Sequence, residues 1–150
     1  MSRRDARLAR ASDRPILLAF DFGLRRLGIA TANRETGTAS PLTTLRVDGD
    51  LPWTDLDRVM DDWRPAQLVV GVPEGDGVAN IARRARAFAG ALVERYGLPV
   101  ATVDETLTSV AAHSELAEGR RSGYLRRRVG RGHVDRLAAC LIAEQWMSEQ

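Results

Sequence analysis

The sequence contains no lysine, one cysteine and two histidines, and these shortages exclude several kinds of site. The single cysteine, Cys140, cannot form an internal disulfide or build a cysteine zinc site. Because only His113 and His133 offer nitrogen ligands, a metal here would have to be a hard cation held by carboxylates. Cys140 lies within an apolar helical pattern, so we interpret it as a small core residue.

Long hydrophobic runs are also missing. No run approaches the length of a membrane helix, and the N-terminus lacks an apolar signal segment, so we expect a cytoplasmic protein. The 150 residues, 44% of them hydrophobic, suffice for one domain with a substantial core. Residues 1–14 are rich in arginine, show no apolar periodicity and end before Pro15. We therefore predict a disordered arginine-rich tail followed by a single domain over residues 15–150.

The chain is organised around residues 16–32, where one acid ends an apolar run. Residues 16–20 and 27–32 are short apolar runs typical of strands buried on both faces, and Gly23 between them predicts a hairpin. A carboxylate at that boundary, Asp21, would be costly to bury alone. It either accepts turn hydrogen bonds or belongs to a functional site, and this stretch alone does not decide between the two.

The later sequence predicts three more strands and four helices. The strands are expected at residues 38–47, 67–72 and 98–103, with Pro41 placing the third strand of the chain near an edge or a bulge. The helices are expected at residues 52–64, 78–96 and about 106–118, and from residue 133 onward. This order predicts an α/β fold with a mixed five-stranded sheet, an antiparallel meander followed by parallel strands, flanked by helices.

Several side chains of these helices have simple structural interpretations. The first helix carries a face of acids that we interpret as solvated, namely Asp55, Asp57, Asp61 and Asp62. The last helix is expected to bury an apolar stripe that includes Val134, Leu137, Ala138, Leu141 and Ile142.

Acidic residues also lie at the end of the fifth strand and at the start of the last helix. Ligand sites in parallel sheets gather at the carboxyl ends of strands, where Asp21, Asp104 and Glu105 are expected. Because neighbours on a strand point to opposite faces, only one of Asp104 and Glu105 can face the same site as Asp21. Asp135 in the first turn of the last helix also suits the helix dipole. His133, two positions earlier, points in another direction, and a cap or surface role is favoured over an accessory role at the substrate.

Arginine accounts for all 22 basic residues. Seven arginines fall within residues 120–136 against a single acid, in a glycine-rich stretch that we expect to be a mobile loop. Such a concentration favours a polyanionic partner, although a solvated loop is the alternative. The seven are Arg120, Arg121, Arg126, Arg127, Arg128, Arg131 and Arg136. Near Asp21, Arg26 can hold a phosphate or pair with an acid, and pairing is slightly favoured.

Four short motifs, in order, carry a resemblance to a known family. They are residues 21–30 (DFGLRRLGIA), 70–73 (VGVP), 103–109 (VDETLTS) and 134–139 (VDRLAA). Each is weak alone, but together they are similar to the YqgF/RuvX family, the RNase H-like group described as pre-16S rRNA nucleases and as Holliday-junction-resolvase-like proteins.

The resemblance implies an RNase H-like fold and an active site. The family's three acidic positions correspond to Asp21, Glu105 and Asp135, which takes one acid of the 104–105 pair, as the alternation requires. The sequence departs from the family pattern at Leu24, Thr106 and His133 and in the loop 74–77. These departures leave the acids intact and concern substrate preference more than chemistry.

The implied activity is metal-dependent hydrolysis of nucleic acid, with processing of the 5′ end of precursor 16S rRNA as the leading function. Two Mg²⁺ or Mn²⁺ ions roughly 3.5–4 Å apart can activate the water, neutralise the phosphate and stabilise the leaving oxygen. Three carboxylates are a sensible minimum for holding them. The arginine loop would grip the phosphate backbone, because arginine's planar fork suits phosphate.

Other functions stay open at this point. The alternatives are a Holliday-junction resolvase on branched DNA, a non-catalytic RNA-binding or transcription-associated protein, and an actin-like phosphate-loop ATP-binding protein. The last needs two lobes around ATP, and this chain has room for one. The expected partners are pre-rRNA or branched DNA, with ribosomal or transcription machinery as further candidates and no membrane, and the expected state is a monomer or a weak homodimer.

Overall fold

The computed structural model describes residues 14–75, 77–104 and 131–150, with residues 131–133 described for their backbone only. Five strands and three helices lie within these residues. The strands are β1 (Ile16–Phe22), β2 (Arg26–Asn33), β3 (Thr38–Arg46), β4 (Gln67–Val72) and β5 (Val100–Asp104). The helices are α1 (Trp53–Trp63), α2 (Ala79–Tyr96) and α3 (Arg131–Ser148). The helix predicted at 106–118 and nearly all of the predicted tail lie outside the described residues.

The strands form one mixed sheet in the order β3-β2-β1-β4-β5. Strands β1, β2 and β3 pair antiparallel, whereas β1 with β4 and β4 with β5 pair parallel. The predicted meander followed by parallel strands is confirmed. Strand β1 runs two residues further than its apolar run indicated, so Asp21 lies within the strand rather than after it.

The predicted edge position of Pro41 is also confirmed. Strand β3 is an edge strand, and its register against β2 shifts between Ile29, which pairs with Thr43, and Ala30, which pairs with Pro41. Because proline has no N–H to donate to a ladder, an edge irregularity tolerates it well.

The ends of α1 and α2 follow local sequence signals. Arg64 adopts a left-handed conformation (φ 44°) after α1, and its N–H donates to the Met60 carbonyl, as expected where Pro65 prevents helical continuation. Gly97 caps α2 with φ 65°, which glycine adopts without steric cost.

The two faces of the sheet pack against different helices. Strand residues such as Leu18, Phe20 and Val70 belong to a large core covered by α1 and α2. Their neighbours Leu17 and Val69 point to the other face, where α3 covers a second, smaller core. The period-two alternation of strands therefore decides which side chains can meet near α3.

Helix α3 uses a different stripe from the predicted one. Its fully buried residues are Ala139, Ile142 and Ala143, whereas Leu137 and Leu141 are half-exposed. The small side chains allow the helix to lie close to the strands, which the hydrophobicity of the sequence alone did not indicate. Cys140 is buried, as predicted.

One of the acids predicted to be solvated is not simply solvated. Asp57 on α1 accepts hydrogen bonds from Arg95 Nε (2.9 Å) and a second guanidinium nitrogen (2.6 Å), and from the Tyr96 hydroxyl (2.7 Å). The bonds from Arg95 and then Tyr96 lower the pKa of Asp57 to about 2. Sequence spacing did not reveal this contact, because it joins α1 to α2 across 38 positions.

Candidate functional site

Asp21 lies on the central strand of the sheet, between two glycines. It is half-buried and stands directly opposite Gly28 on β2 and beside Gly71 on β4. By strand alternation its side chain shares the face of Leu17 and Ala19, which is the face that α3 covers. Since neither strand neighbour carries a side chain, the carboxylate has space around it on that face.

Helix α3 reaches the sheet at one of these glycines. A Cβ added to Gly28 would lie 2.3 Å from the Asp135 carbonyl oxygen and 2.8 Å from the Asp135 Cβ. No side chain fits there without a shift of the backbone, so the start of α3 rests directly on β2 at Gly28. The last helix therefore carries its acid onto the same face as Asp21.

The two acids are close. Directly opposed strand residues have Cβ positions about 4.5–5.5 Å apart. Since the Asp135 Cβ lies 2.8 Å from the Cβ position of Gly28, the Cβ atoms of Asp21 and Asp135 are within about 8 Å of each other. Two carboxylates at that separation can bind a shared divalent cation or a pair of adjacent cations.

Arg26 pairs with Asp135. Its Nε donates to Asp135 Oδ2 at 2.8 Å, and the two side chains are 36% and 20% exposed. Arg26 precedes Gly28 by two positions on β2, so both face α3. The pairing alternative left open by the sequence is confirmed, and a role for Arg26 in nucleic-acid binding stays a prediction.

Asp104 points to the opposite face of the sheet. It pairs in register with Val72, and Val72 belongs to the core under α1 and α2. Val103, one residue earlier, lies on the α3 face. As the alternation argument required, Asp104 does not face the same site as Asp21, and an accessory role for it stays a prediction.

The remaining predicted site residues lie outside the described part of the chain or are described there only in part. Glu105 lies outside it, and for Arg131 and His133 only the backbone, in the first turn of α3, is described. Arg136 is described, and its guanidinium donates to the Thr44 hydroxyl at 3.5 Å. Also outside are Arg120, Arg121, Arg126, Arg127 and Arg128.

Across residues 14–75, 77–104 and 131–150, no three acidic, histidine or cysteine side chains gather into a metal-binding group. Asp21 and Asp135 are two of the three predicted ligands, and the third is Glu105.

Sequence reasoning missed the role of Gly28. Glycine inside an apolar strand often marks close approach of another backbone, and this signal was present in the run 27–32. What the sequence did not provide was the partner, because Asp135 is 107 positions away along the chain. Only the tertiary fold shows that the glycine admits the helix that carries the acid.

The fold and the paired acids define an RNase H-like protein of the resolvase type. T. thermophilus RuvC in complex with a Holliday junction substrate has a TM-score of 0.56 and 17% identity, and the match covers 89% of this chain and 94% of that one. The fowlpox virus Holliday junction resolvase also has a TM-score of 0.56, with 13% identity over 90% of this chain and 99% of that one. At such low identities these likenesses establish the fold alone.

Sequence comparison gives the family. The sequence model of RuvX, described as Holliday junction resolvase, matches residues 15–149. A Legionella pneumophila protein named "Putative pre-16S rRNA nuclease" is 40% identical over 139 residues, covering 91% of this chain and 97% of its own length. A Pseudomonas aeruginosa protein of the same name is 41% identical over 145 residues, covering 93% and 97%. The chain belongs to the RuvX family, which confirms the resemblance and places it among hydrolases that act on nucleic acid.

Within the described residues, none of the helices combines the length and the apolar character needed to cross a bilayer.

Proposed function

We propose that this protein is a metal-dependent nuclease that processes the 5′ end of precursor 16S rRNA, with Asp21, Glu105 and Asp135 as its metal ligands and catalytic acids. The observation that carries the proposal is the approach of α3 to Gly28, which brings Asp135 onto the same sheet face as Asp21. Two negative side chains at one edge of a sheet repel each other unless a cation compensates them. A pure binder of phosphate gains nothing from that arrangement.

The donor set fits a hard divalent cation. Carboxylate oxygens are the ligands that Mg²⁺ and Mn²⁺ prefer, and Mg²⁺ is commonly held by one or two carboxylates with water and substrate phosphate completing its coordination. When bound there, such ions neutralise phosphate charge and lower the pKa of a coordinated water. The chain's own part is to hold Asp21 on a rigid central strand and Asp135 on a helix packed against it.

Glu105 completes the proposed set by alternation. Ala101 and Val103 of β5 lie on the α3 face, and continuing the same alternation by two residues gives Glu105 that face. Asp104, on the other face, is the less suitable ligand. This choice also agrees with the family resemblance.

Basic residues supply the proposed contact with nucleic acid. Arg25 is exposed at the turn between β1 and β2, close along the chain to Asp21. The arginines of residues 120–136 add positive charge that attracts a phosphate backbone irrespective of its sequence. We further propose that the protein acts in the cytoplasm, as a monomer or weak homodimer, alongside ribosomal or transcription machinery.

Cleavage of a precursor 16S RNA by purified variants, in Mg²⁺ and in Mn²⁺, tests the proposal. Asp21→Asn, Glu105→Gln and Asp135→Asn should each abolish cleavage while the circular dichroism spectrum stays native. Asp61→Asn is the matched control, because it removes an exposed carboxylate of α1 near the amino end of β4, away from the site. Retained cleavage in any two of the three acid variants would refute the assignment.

A second candidate function is resolution of branched DNA, which the description of the matching family favours. Phosphate contacts alone do not separate the two substrates, since both present a phosphate backbone. A side-by-side assay on precursor RNA and on a four-way DNA junction separates them. Faster cleavage of the junction, lost in Asp21→Asn, would replace the RNA-processing proposal with the resolvase.

A further inference from the structure

The ion pair between Arg26 and Asp135 uses only one carboxylate oxygen. Arg26 Nε donates to Oδ2, and within the described residues no hydrogen bond reaches Oδ1. Asp135 is thus a half-satisfied acid, 20% exposed, next to a second acid. Its spare oxygen lies in the part of the structure where Asp21 and the glycines leave space.

The pair is also mechanically constrained. Arg26 and Gly28 are two positions apart on β2 and face α3 together, so Arg26 contacts the side chain of Asp135 while Gly28 contacts its backbone. The carboxylate is therefore fixed at both its Cα and its Oδ2. A carboxylate fixed in this way has little rotational freedom left to lose when it binds a cation.

We propose that Arg26 is a positioning residue that acts through Asp135: it holds Oδ2 so that Oδ1 is presented to a divalent cation shared with Asp21. The inference rests on the proposed function, because it presumes that Asp135 is a metal ligand. Arg26 has a second effect of the same sign, since its positive charge reduces the repulsion between the two acids while no cation is bound. It is not a contact to the substrate phosphate in this role.

Binding of Mn²⁺ alone, followed by the electron paramagnetic resonance signal of the free ion, tests the proposal without requiring activity. Arg26→Gln should weaken Mn²⁺ affinity by roughly 10- to 100-fold, the range typical of lost outer-shell partners. Arg26→Lys should fall between the wild type and Arg26→Gln, because lysine keeps the charge but not the planar N–H donor. Arg25→Gln is the matched control, since it removes the neighbouring exposed arginine and should leave Mn²⁺ affinity unchanged.

Two further measurements keep the proposal falsifiable if Arg26→Gln folds poorly. In an Asp135→Asn background, Arg26→Lys should have no additional effect on Mn²⁺ affinity, because residues acting through one contact are not additive. Metal-free binding of a labelled RNA, measured by anisotropy, should change no more for Arg26→Gln than for Arg25→Gln.

The outcomes separate this inference from the proposed function. If Mn²⁺ binding is lost in Asp135→Asn but unchanged in both Arg26 variants, the positioning role is overturned and the metal site stands. If the Arg26 variants instead weaken RNA binding more than Arg25→Gln does, Arg26 is a phosphate contact. If the wild type binds no Mn²⁺, the metal site and the positioning role both fail.

Discussion

Each face of the sheet carries one arginine–aspartate pair, and the two pairs use their carboxylates differently. On the α1 and α2 face, Asp57 accepts from Arg95 through both oxygens and also from the Tyr96 hydroxyl, while Arg95 lies 4.9 Å above the ring of Trp53. On the α3 face, Asp135 receives a single bond from Arg26. A fully used carboxylate joins two helices, whereas a half-used one beside a second acid retains ligand capacity.

The packing of the two faces differs in the same direction. Under α1 and α2, aromatic rings dominate, with Phe20 and Phe88 edge-to-face at 5.5 Å between centroids. Under α3, Ala139 and Ala143 with Gly28 let the helix approach the strands closely. Large side chains bury more apolar area, and small ones bring backbone and functional groups closer. We infer that stability is concentrated on the aromatic face and chemistry on the other.

The largest expected effect comes from breaking the aromatic face. Phe88→Ala removes a fully buried ring that contacts Phe20, Phe22 and Trp53, and should lower the free energy of unfolding by about 3–5 kcal/mol in urea denaturation. Mn²⁺ affinity of the remaining folded protein should stay at the wild-type value, because the ring lies on the face away from Asp21. A parallel loss of Mn²⁺ affinity would contradict this separation of the faces.

An intermediate effect is expected from filling the close approach on the other face. Gly28→Ala places a methyl group against the Asp135 backbone, where atoms would lie only 2.3 Å apart, and should cost about 1–3 kcal/mol of stability in urea denaturation. Unlike Phe88→Ala, it should also weaken Mn²⁺ binding, because α3 must shift and take Asp135 with it.

Gly90→Ala is the matched control for that substitution. Gly90 lies within α2 with no atom within 4 Å of an added Cβ. The change should therefore stabilise the protein by about 0.5–1 kcal/mol through helix propensity and leave Mn²⁺ binding intact. If Gly28→Ala behaved like Gly90→Ala, the direct contact between α3 and β2 would be wrong.

The sequence predicts the sheet better than it predicts the contacts across it. Strand order followed from apolar runs and turn residues, and alternation correctly excluded Asp104 from the face of Asp21. Two features were missed because each joins distant parts of the chain: the Asp57–Arg95 contact and the seat of Asp135 on Gly28. The buried stripe of α3 was also misplaced, since alanines that admit close packing look less apolar than the neighbouring leucines.

The smallest effect concerns the ion pair on the aromatic face and depends on pH. The hydrogen bonds from Arg95 and Tyr96 lower the pKa of Asp57 from 3.8 to about 2, so the ionised form is favoured in the folded protein. A depressed folded-state pKa contributes stability that is present above the unfolded-state pKa and lost as the pH falls through the folded-state value. Because both side chains are partly exposed, solvent screens the pair and its contribution is modest.

Urea denaturation between pH 7 and pH 2 therefore distinguishes this pair from simple surface charges. Asp57→Asn should be less stable than the wild type at pH 7, and the difference should narrow as the pH falls from about 4 to about 2. Asp61→Asn, which removes an acid from the same helix without touching Arg95, controls for the change in net charge. A wild-type advantage over Asp57→Asn that is equal at pH 7 and pH 2 would mean that the ionised carboxylate contributes nothing to the contact between α1 and α2. The contrast with Asp135 would then rest on geometry alone, because neither pair would depend on charge for stability.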